Sequence, residues 1–391
     1  MTRIGVEERR ARLARRHRLA PSARSDDPVE IAGDLVGLHA SDPGSVYLAA
    51  AARMRKPALG PVEEALYDAR TLLRMLGMRR TMFVLPLDLA AIVQAACAGA
   101  VAARQRRRLE TMIEGAGLHD DAATHVREIE QETLAVLEAR GEATGAELSK
   151  ETPTLRQEIL IGRGTKWEGA QRLTTWVLVL LGAEGRIVRG RPRGTWISSQ
   201  YRWAPLESWL GGALEDWAVE DAQAELVRRW LATYGPAAVA DVRWWTGWTM
   251  RDTKRALAQL ETFEVDLDGE PGLVLADDLE PAAPSEPWVA LLPGLDPTVM
   301  GWKRREWYLG PHGPALFDSA GNAGPTVWCD GRIVGGWGQP ESGEVALRLL
   351  EDVGAEARAA VEAEAERLGA LLGGVRASQR FGAPLVRELS G

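Results

Sequence analysis

The spacing of apolar positions predicts one group of structural elements three times along the chain. In the first group, three segments with helical spacing precede two short segments of strand type. The helices are predicted at residues 6–20, from Pro28 to the break at Asp42-Pro43-Gly44, and at 45–54, and the strands at 72–78 and 81–85. Three helices followed by a β-hairpin is the element order of a winged-helix unit.

The same order of helices and hairpin is predicted twice more. The second group has helices at residues 122–139, 145–149 and 167–181, and strands at 186–189 and 195–197 around the basic loop Gly190-Arg191-Pro192-Arg193-Gly194. The third group has helices at 217–233, 237–246 and 249–260, and strands at 263–267 and 273–276 around an acidic loop. A basic loop suits contact with phosphate groups, whereas an acidic loop does not.

Short strands and turns replace helices after residue 285. Asp330-Gly331 is a strong two-residue hairpin signal, and strands are predicted at 289–292, 307–309, 326–329 and 332–337. An Ala- and Glu-rich helix is predicted at 354–372. The prediction is an α+β protein, mainly α, with three winged-helix units at 1–118, 119–212 and 213–284, followed at 285–391 by a small β unit, sheet or barrel, and a C-terminal helix.

The composition narrows the class of protein. Of the 391 residues, 46% are hydrophobic and 26% are charged, which is ordinary for a soluble globular protein. The longest apolar run, at residues 176–181, is far shorter than the roughly 18 residues of a membrane span, and the Arg-rich start lacks the apolar core of a secretory signal. The two cysteines and five scattered histidines show no metal-ligand spacing. We therefore expect a cytoplasmic protein without membrane association, metal or cofactor.

Positive charge is concentrated in three segments of an acidic chain. The formal net charge is −8, but residues 1–24, 70–108 and 156–206 carry net charges of +6, +7 and +6. Codon bias in a GC-rich genome explains why most of these cations are arginines, but it does not explain where they lie. Basic segments on an acidic body suit a surface that faces an anionic polymer such as nucleic acid. The alternative is three solvated faces that never meet in the fold.

Six stretches of the sequence resemble the bacterial winged-helix DNA glycosylases of the AlkZ/YcaQ type, the AlkZ-like superfamily. They are Gly37-Leu38-His39-Ala40-Ser41-Asp42-Pro43, Met78-Arg79-Arg80-Thr81-Met82-Phe83-Val84-Leu85-Pro86, Arg189-Gly190-Arg191-Pro192-Arg193-Gly194-Thr195-Trp196, Ser198-Ser199-Gln200-Tyr201-Arg202-Trp203, Asp241-Val242-Arg243-Trp244-Trp245-Thr246-Gly247-Trp248 and Leu291-Leu292-Pro293-Gly294-Leu295-Asp296-Pro297-Thr298. The resemblance implies three tandem winged helices and a small β-barrel in a C-shape around duplex DNA. It also implies excision of bulky N-alkylated purines, in some members from interstrand crosslinks, as self-resistance to a DNA-alkylating antibiotic.

The family's catalytic motif is altered in this chain. The motif reads Gln-x-Gln or Gln-x-Asp, and the matching positions here are His39 and Ser41 with Ala40 between them. The resemblance therefore implies His39 and Ser41 as the catalytic residues. An N7-alkylated purine already carries a positive charge and leaves without a general acid. A histidine that titrates near neutrality and orients or deprotonates water, helped by a serine hydroxyl, is then sufficient for cationic adducts. Helix capping beside Asp42-Pro43 is the structural alternative for His39.

The two basic hairpins supply the candidate DNA contacts. The residues expected to reach duplex DNA are Arg79, Arg80, Arg189, Arg191, Arg193, Trp196, Gln200, Tyr201 and Arg202. The resulting prediction is a monomeric, monofunctional DNA N-glycosylase that acts on double-stranded DNA carrying bulky N7-alkylguanine adducts. A non-catalytic winged-helix DNA-binding protein or transcription regulator is the alternative function, and the altered His39/Ser41 motif favours it.

Overall fold

Helices and β-hairpins alternate along the chain in the computed structural model, which describes residues 2–162, 164, 168–377 and 382–391. The predicted mixture of helices and strands is therefore confirmed. The described strands form three three-stranded sheets, one four-stranded sheet and one two-stranded hairpin. One three-stranded sheet accompanies each of the three predicted groups of helices. The chain thus has three helix-and-sheet units and a fourth unit built on the larger sheet.

The sheet of the first unit is centred on the strand Met82–Pro86. This strand pairs with Leu72–Leu76, as predicted, and on its other side with the short strand Leu38–His39. The second helix ends before this strand because the chain turns at Gly37, where φ is 103° and a Cβ would collide with the Leu85 side chain. The α-helices of the unit are Val6–Arg16, Pro28–Asp34, Pro43–Ala51, Gly60–Glu63, Leu87–Val93 and Gly99–Gly115.

The last two helices of the first unit form one continuous helix, Leu87–Gly115, through the wider turn Gln94–Ala98. Its length and hydropathy are those of a membrane-spanning helix, but 56% of its apolar window is buried inside the molecule. Ile92 packs in a large core that the first unit shares mainly with the third and fourth, whereas Ile113 packs in the core of the second unit. The helix therefore joins two hydrophobic cores, which is a role of a core helix in a globular protein.

The hairpins of the second unit differ from the prediction. Strand Ile187–Pro192 pairs with Tyr201–Pro205, so residues 195–197, where a strand is predicted, lie in the connecting loop. The predicted helix 167–181 begins only at Leu173, and its predicted first residue lies outside the described residues. The polar segment Gly169–Arg172 has no apolar face to bury, and it pairs instead with Glu158–Ile161. The remaining elements are the helices Ala122–Arg140, Gly145–Glu151, Leu173–Ala183 and Leu206–Leu210 and the strand Ala143–Thr144.

The third unit follows the prediction to within three residues at every boundary. Its elements are the helices Val219–Tyr234, Val239–Thr246 and Met250–Leu257 and the strands Thr262–Leu267 and Glu270–Leu275. The short strand Thr2–Arg3 adds to this sheet, parallel to Thr262–Leu267. The start of the chain therefore pairs with the third unit, although its first helix belongs to the core of the first.

The fourth unit is an antiparallel sheet whose strands pair in chain order. The strands are Val289–Leu292, Thr326–Cys329, Arg332–Gly338 and Ala346–Leu349, and the helices are Glu306–Leu309, Gly313–Leu316, Gly354–Leu372 and Pro384–Ser390. The predicted turn at Asp330-Gly331 and the predicted helix at 354–372 are confirmed. Residues 307–309, predicted as a strand, are helical because Tyr308 turns into the core and its hydroxyl donates to the Val299 carbonyl at 2.9 Å. In this sheet the first described strand, Val289–Leu292, does not pair with the last, Ala346–Leu349. A closed barrel is therefore not confirmed.

Most arginines of the first basic segment bind other parts of the chain. Arg12 and Arg16 both reach the carboxylate of Asp278, at 2.8 and 2.5 Å, in the segment between the third and fourth units. Arg3 pairs with Asp268 at 2.8 Å in the turn of the third hairpin. These contacts join residues more than 260 positions apart in sequence. For these side chains, the expectation that residues 1–24 face an anionic polymer is wrong.

A fully buried ion pair joins the first and fourth units. Arg53 donates hydrogen bonds to both carboxylate oxygens of Asp296, at 2.8 and 2.9 Å, and a third to the Thr298 hydroxyl at 2.8 Å. Its Nε donates to the backbone oxygen of His17, whose ring stacks on Trp302. Neither charged side chain has exposed surface. Their charges are therefore compensated by this network and not by water.

Candidate functional site

The first and second units form an open cleft beside the altered motif. Together with the solvent at its mouth, the cleft comprises about 1150 Å³ of space not filled by protein atoms. Its lining residues are Ala40, Ser41 and Pro43 from the first unit and Thr144, Gly145, Ala146, Arg189, Arg193, Ser199, Gln200, Tyr201 and Trp203 from the second. Four of the predicted DNA contacts, Arg189, Arg193, Gln200 and Tyr201, thus lie in the same cleft as Ser41. None of these lining residues is acidic.

His39 is buried and is not among the residues that line the described cleft. It is 5% exposed, and its ring packs edge-on against Phe83 with 5.2 Å between the ring centroids. Its Nδ1 atom is buried without a hydrogen-bond partner in the described residues. Burial lowers the pKa of His39 to about 3, and the positive charge of Arg79 acts in the same direction. The expectation that His39 titrates near neutrality is therefore wrong, and the imidazole is neutral at physiological pH.

Ser41 lies where the strand of the motif gives way to the next helix. Asp42 caps that helix, because its carboxylate accepts a hydrogen bond from the Gly44 N–H at 3.2 Å. Helix capping, the structural alternative for His39, is thus provided by Asp42. Ser41 is half-buried and lines the cleft together with Ala40. Among the described lining residues from the motif, Ser41 is the one with a polar side chain.

A buried arginine links the motif to the opposite wall of the cleft. Arg74 donates a hydrogen bond to the Ala40 carbonyl at 3.2 Å, and its guanidinium lies 5.1 Å from the centroid of the Tyr201 ring. Arg74 is 2% exposed. Because Ala40 and Tyr201 belong to different units, Arg74 contacts both walls of the cleft.

The wall on the second unit is an arginine–aromatic surface. The Arg189 guanidinium lies 5.4 Å from the Tyr201 ring centroid and 5.1 Å from that of Trp203. Arg193 and Gln200 stand at the two ends of the connecting loop, where the Arg193 N–H donates to the Gln200 carbonyl at 2.8 Å. Both of their side chains are exposed. Donors and ring faces of this kind suit phosphate groups and unstacked bases.

Two predicted DNA contacts on the same hairpin are engaged in ion pairs within the protein. Arg191 lies in the strand and not at a loop tip, and it pairs with Glu63 at 2.5 Å and Asp68 at 2.7 Å on the first unit. Arg202 lies 2.7 Å from the Glu142 carboxylate. Neither residue lines the cleft described above. Carboxylates already compensate these charges, so the two side chains hold the hairpin in place.

Trp196 packs against the first unit. Its ring lies 5.5 Å from that of Tyr47 between centroids, and a Cβ on Gly44 would approach it to 3.3 Å. The connecting loop of the second hairpin therefore rests on the helix Pro43–Ala51. This contact brings Arg193 and Gln200 next to Ser41.

The tip of the first hairpin faces the third unit. The Arg79 guanidinium lies 4.1 Å from the Trp244 ring centroid, and a Cβ on Gly247 would come within 3.1 Å of the Arg79 Cα. Burial lowers the pKa of Arg79 to about 10. Arg79 therefore packs between units, whereas Arg80, the other predicted contact at this tip, is exposed.

Three cations near the cleft were not singled out by sequence analysis. Lys150, Arg156 and Arg172 line a groove that continues from the cleft along the second unit. Arg156 and Arg172 belong to the segment 156–206, whose net positive charge is apparent from the sequence. Their common location, however, depends on the pairing of Glu158–Ile161 with Gly169–Arg172, which the apolar pattern does not predict.

One group of side chains outside the cleft has the composition of a metal site. His119, His125 and Glu128 offer ligand atoms within 4.8 Å of one another. However, the His119 Nδ1 accepts a hydrogen bond from the Asp121 N–H, and the His125 Nε2 contacts the Gln157 side chain. The two rings stack face to face at 4.8 Å, so they do not converge on one point as metal ligands do.

Protonation of two buried histidines should make stability depend on pH. Burial lowers the pKa of His39 to about 3, and burial beside Arg53 holds the pKa of His17 well below its ordinary value. In the unfolded chain both take up a proton near pH 6.5. The free energy of unfolding should therefore be constant above about pH 6.5 and fall below it, by up to about 1.4 kcal/mol per pH unit for each histidine.

Urea unfolding at pH 7.5, 6 and 5 measures this dependence. The His39→Gln variant should lose about half of the pH-dependent change attributable to histidine. A wild-type protein as stable at pH 5 as at pH 7.5 would show that neither imidazole is buried in its neutral form.

The comparisons with known proteins identify the family. A family model described as DNA glycosylase AlkZ-like matches residues 32–371, and the chain belongs to this family. A protein of Streptomyces sahachiroi described as an interstrand DNA cross-link repair glycosylase is 30% identical over 129 residues, which are 30% of this chain and 34% of that protein. The solved structure of the Streptomyces sahachiroi DNA glycosylase AlkZ has a TM-score of 0.73 to this chain at 22% identity. That alignment covers 96% of this chain and 98% of the other, so the two share a fold over nearly their whole length.

Proposed function

We propose that the chain is a monofunctional DNA N-glycosylase that excises bulky N7-alkylguanine adducts from duplex DNA. Unhooking of interstrand crosslinks and self-resistance to a DNA-alkylating antibiotic belong to the same proposal, as do a monomeric state and a cytoplasmic location. The observation that carries it is the meeting of Ser41 with Arg189, Arg193, Gln200 and Tyr201 in one cleft of a chain from this family.

The proposed domain organisation follows the units of the fold. Residues 1–118, 119–212 and 213–284 are interpreted as three winged helices, and residues 285–391 as the small β-barrel unit with its C-terminal helix. Support comes from the recurrence of helices followed by a hairpin in the first three units and from the shared fold with AlkZ. In this interpretation the duplex lies against the side of the molecule on which the cleft opens.

The proposed mechanism relies on the charge of the lesion. Alkylation at N7 makes the purine a cation, so the glycosidic bond breaks without a general acid and the base departs neutral. The chain's own groups then have to hold the nucleotide and place a water at the sugar carbon. The water oxygen bonds to that carbon as the base departs, and the proton that the water loses passes to solvent in the open cleft. The Ser41 hydroxyl on the cleft surface can hydrogen-bond to that water.

His39 is assigned an orienting role in this mechanism. A group whose pKa is about 3 is too weak a base to take a proton from water early in the reaction. A neutral imidazole can still accept or donate one hydrogen bond. His39 keeps 5% of its surface exposed two residues from Ser41, and this exposed edge of the ring is proposed to hold the water beside Ser41. The described residues that line the cleft include no acid to stabilise a sugar cation, so neutral lesions should be poor substrates.

The burial of His39 and the absence of acidic residues from the cleft lining favour a second candidate function. A protein that binds damaged DNA without cleaving the glycosidic bond needs the basic wall of the cleft but not a positioned water. The two candidates differ in one observable, the release of free base from a damaged duplex.

The arginines of the cleft should carry the salt dependence of DNA binding. Changing Arg189 and Arg193 together to glutamine should weaken binding of duplex DNA of any sequence. The slope of log K against log salt should fall by up to about 0.9 for each phosphate that the variant no longer neutralises. Fluorescence anisotropy with a labelled undamaged duplex at several salt concentrations measures both quantities.

Arg191→Gln is the matched control for this experiment. Arg191 lies on the same hairpin, but Glu63 and Asp68 already compensate its charge, so its removal should leave the salt slope unchanged. A double variant with the wild-type slope would place the DNA elsewhere on the molecule.

A further inference from the structure

The groove beside the cleft has the properties of a second binding surface. It is lined by Lys150, Arg156 and Arg172, and it shares Arg189 and Trp203 with the cleft. The two spaces are therefore continuous, and a chain-like ligand that leaves the cleft at Trp203 enters the groove directly.

The charge of this groove is not compensated by neighbouring acids. None of its lining residues is an Asp or Glu. Lys150 and Arg156 are exposed and make no salt bridge with any described residue, and Arg172 has only a long contact to Glu158 at 3.7 Å. By contrast, Arg191 on the same unit is held by two carboxylates. Uncompensated like charges in one groove repel one another, and an anionic ligand removes that repulsion.

A hydrogen-bonded framework holds these cations in place. Lys150 lies on the helix Gly145–Glu151, Arg156 ends the turn Pro153–Arg156, and Arg172 ends the strand Gly169–Arg172. The Thr174 hydroxyl, in the helix that directly follows this strand, connects the first two elements. It donates to the Leu155 carbonyl at 2.8 Å and contacts the Ser149 hydroxyl at 2.7 Å. The backbones that carry the charges are therefore fixed before any ligand binds.

We propose that this groove binds the sugar–phosphate backbone of one DNA strand on one side of the lesion. An open groove that continues from the cleft suits a polymer better than a small anion, and three cations on separate elements suit successive phosphates. Trp203, with Arg189 over its ring, marks the point where the strand passes from the cleft into the groove. The inference rests on the proposed function, because the lesion in the cleft defines which flank of the strand is meant.

The test removes the charges of the three groove cations from the protein and, in a separate experiment, the charges of single phosphates from the DNA. The variant is Lys150→Gln with Arg156→Gln and Arg172→Gln. The control of equal charge is Lys56→Gln with Lys303→Gln and Arg358→Gln, three exposed cations outside the groove lining and without a salt bridge in the described part of the chain. DNA binding is measured by fluorescence anisotropy at several salt concentrations. The slope of log K against log salt should be lowered by up to about 2.7 in the groove variant, about 0.9 for each phosphate left without its cation. The control variant should keep the wild-type slope.

Neutral methylphosphonate linkages then locate the strand. Placed in turn on each side of a bulky N7-guanine adduct, they should weaken binding of the wild-type protein on one flank of one strand. The groove variant should be insensitive to that flank. An unchanged salt slope, or equal sensitivity of both proteins to every linkage, would overturn the proposal. Both readouts report binding and not base release, so a wild-type protein that releases no base would count against the proposed activity while the groove is still decided.

Discussion

Replacing Asp296 with asparagine is expected to lower the free energy of unfolding by about 3–5 kcal/mol, because it leaves Arg53 as an unpaired charge in the core. The Arg53 guanidinium has no exposed surface and donates two of its hydrogen bonds to the Asp296 carboxylate. An amide has the shape of the carboxylate but neither its charge nor its second acceptor oxygen. Denaturant unfolding at pH 7.5 measures the loss.

Glu270→Gln is the control for this stability prediction. It neutralises one partner of the Arg304–Glu270 pair, whose side chains are 47% and 60% exposed, and it should change the free energy of unfolding by about 1 kcal/mol or less. Equal effects of the two substitutions would show that Asp296 is solvated and does not join the first and fourth units.

Replacing His39 with leucine is expected to slow excision of a bulky N7-guanine adduct by about 100-fold or more, the usual effect of removing one positioned hydrogen-bonding group. His39→Gln should stay within about ten-fold of the wild type, because the imidazole is neutral and an amide can also orient water. Ser41→Ala should cost several-fold in rate, about 1 kcal/mol. Single-turnover rates with enzyme in excess separate the chemical step from binding.

Two controls accompany the His39 variants. Affinity for the damaged duplex should be unchanged, since His39 is only 5% exposed and offers the DNA almost no contact surface. The wild-type rate should show no titration near pH 6.5, because the pKa of His39 is held at about 3. A leucine variant with the wild-type rate would remove the motif position from the mechanism and direct attention to Asp42.

Elements with a strong local pattern could be predicted from the sequence. The helix Gly354–Leu372 was predicted to the residue, and the strands of the third hairpin to within three residues, since their apolar spacing and turn residues are local features. For the second hairpin, the first strand was predicted correctly, but the second strand is Tyr201–Pro205 and not residues 195–197. The predicted partner at 195–197 packs instead on the helix Pro43–Ala51, a contact between distant segments that leaves no local signal.

The roles of the arginines could not be predicted from their positions in the sequence. Charge counting placed Arg16, Arg191 and Arg193 in equivalent basic segments. The fold gives the first two carboxylate partners 262 and 123 positions away, at Asp278 and Asp68. In the described part of the chain Arg193 has no such partner, and it lines the cleft. Which cations remain available for DNA is decided by tertiary ion pairs, so the candidate site was predicted only in part.

The proposed glycosylase activity is tested by incubating the protein with a duplex that carries one defined bulky N7-guanine adduct. Chromatography of the released material and alkali treatment of the DNA score free modified base and abasic sites together. We expect release of the intact alkylated base, one abasic site for each base released, and a strand that stays whole until alkali is added. Tight binding of the damaged duplex without release of base would contradict the proposed activity and establish a DNA-binding protein that does not cleave the glycosidic bond.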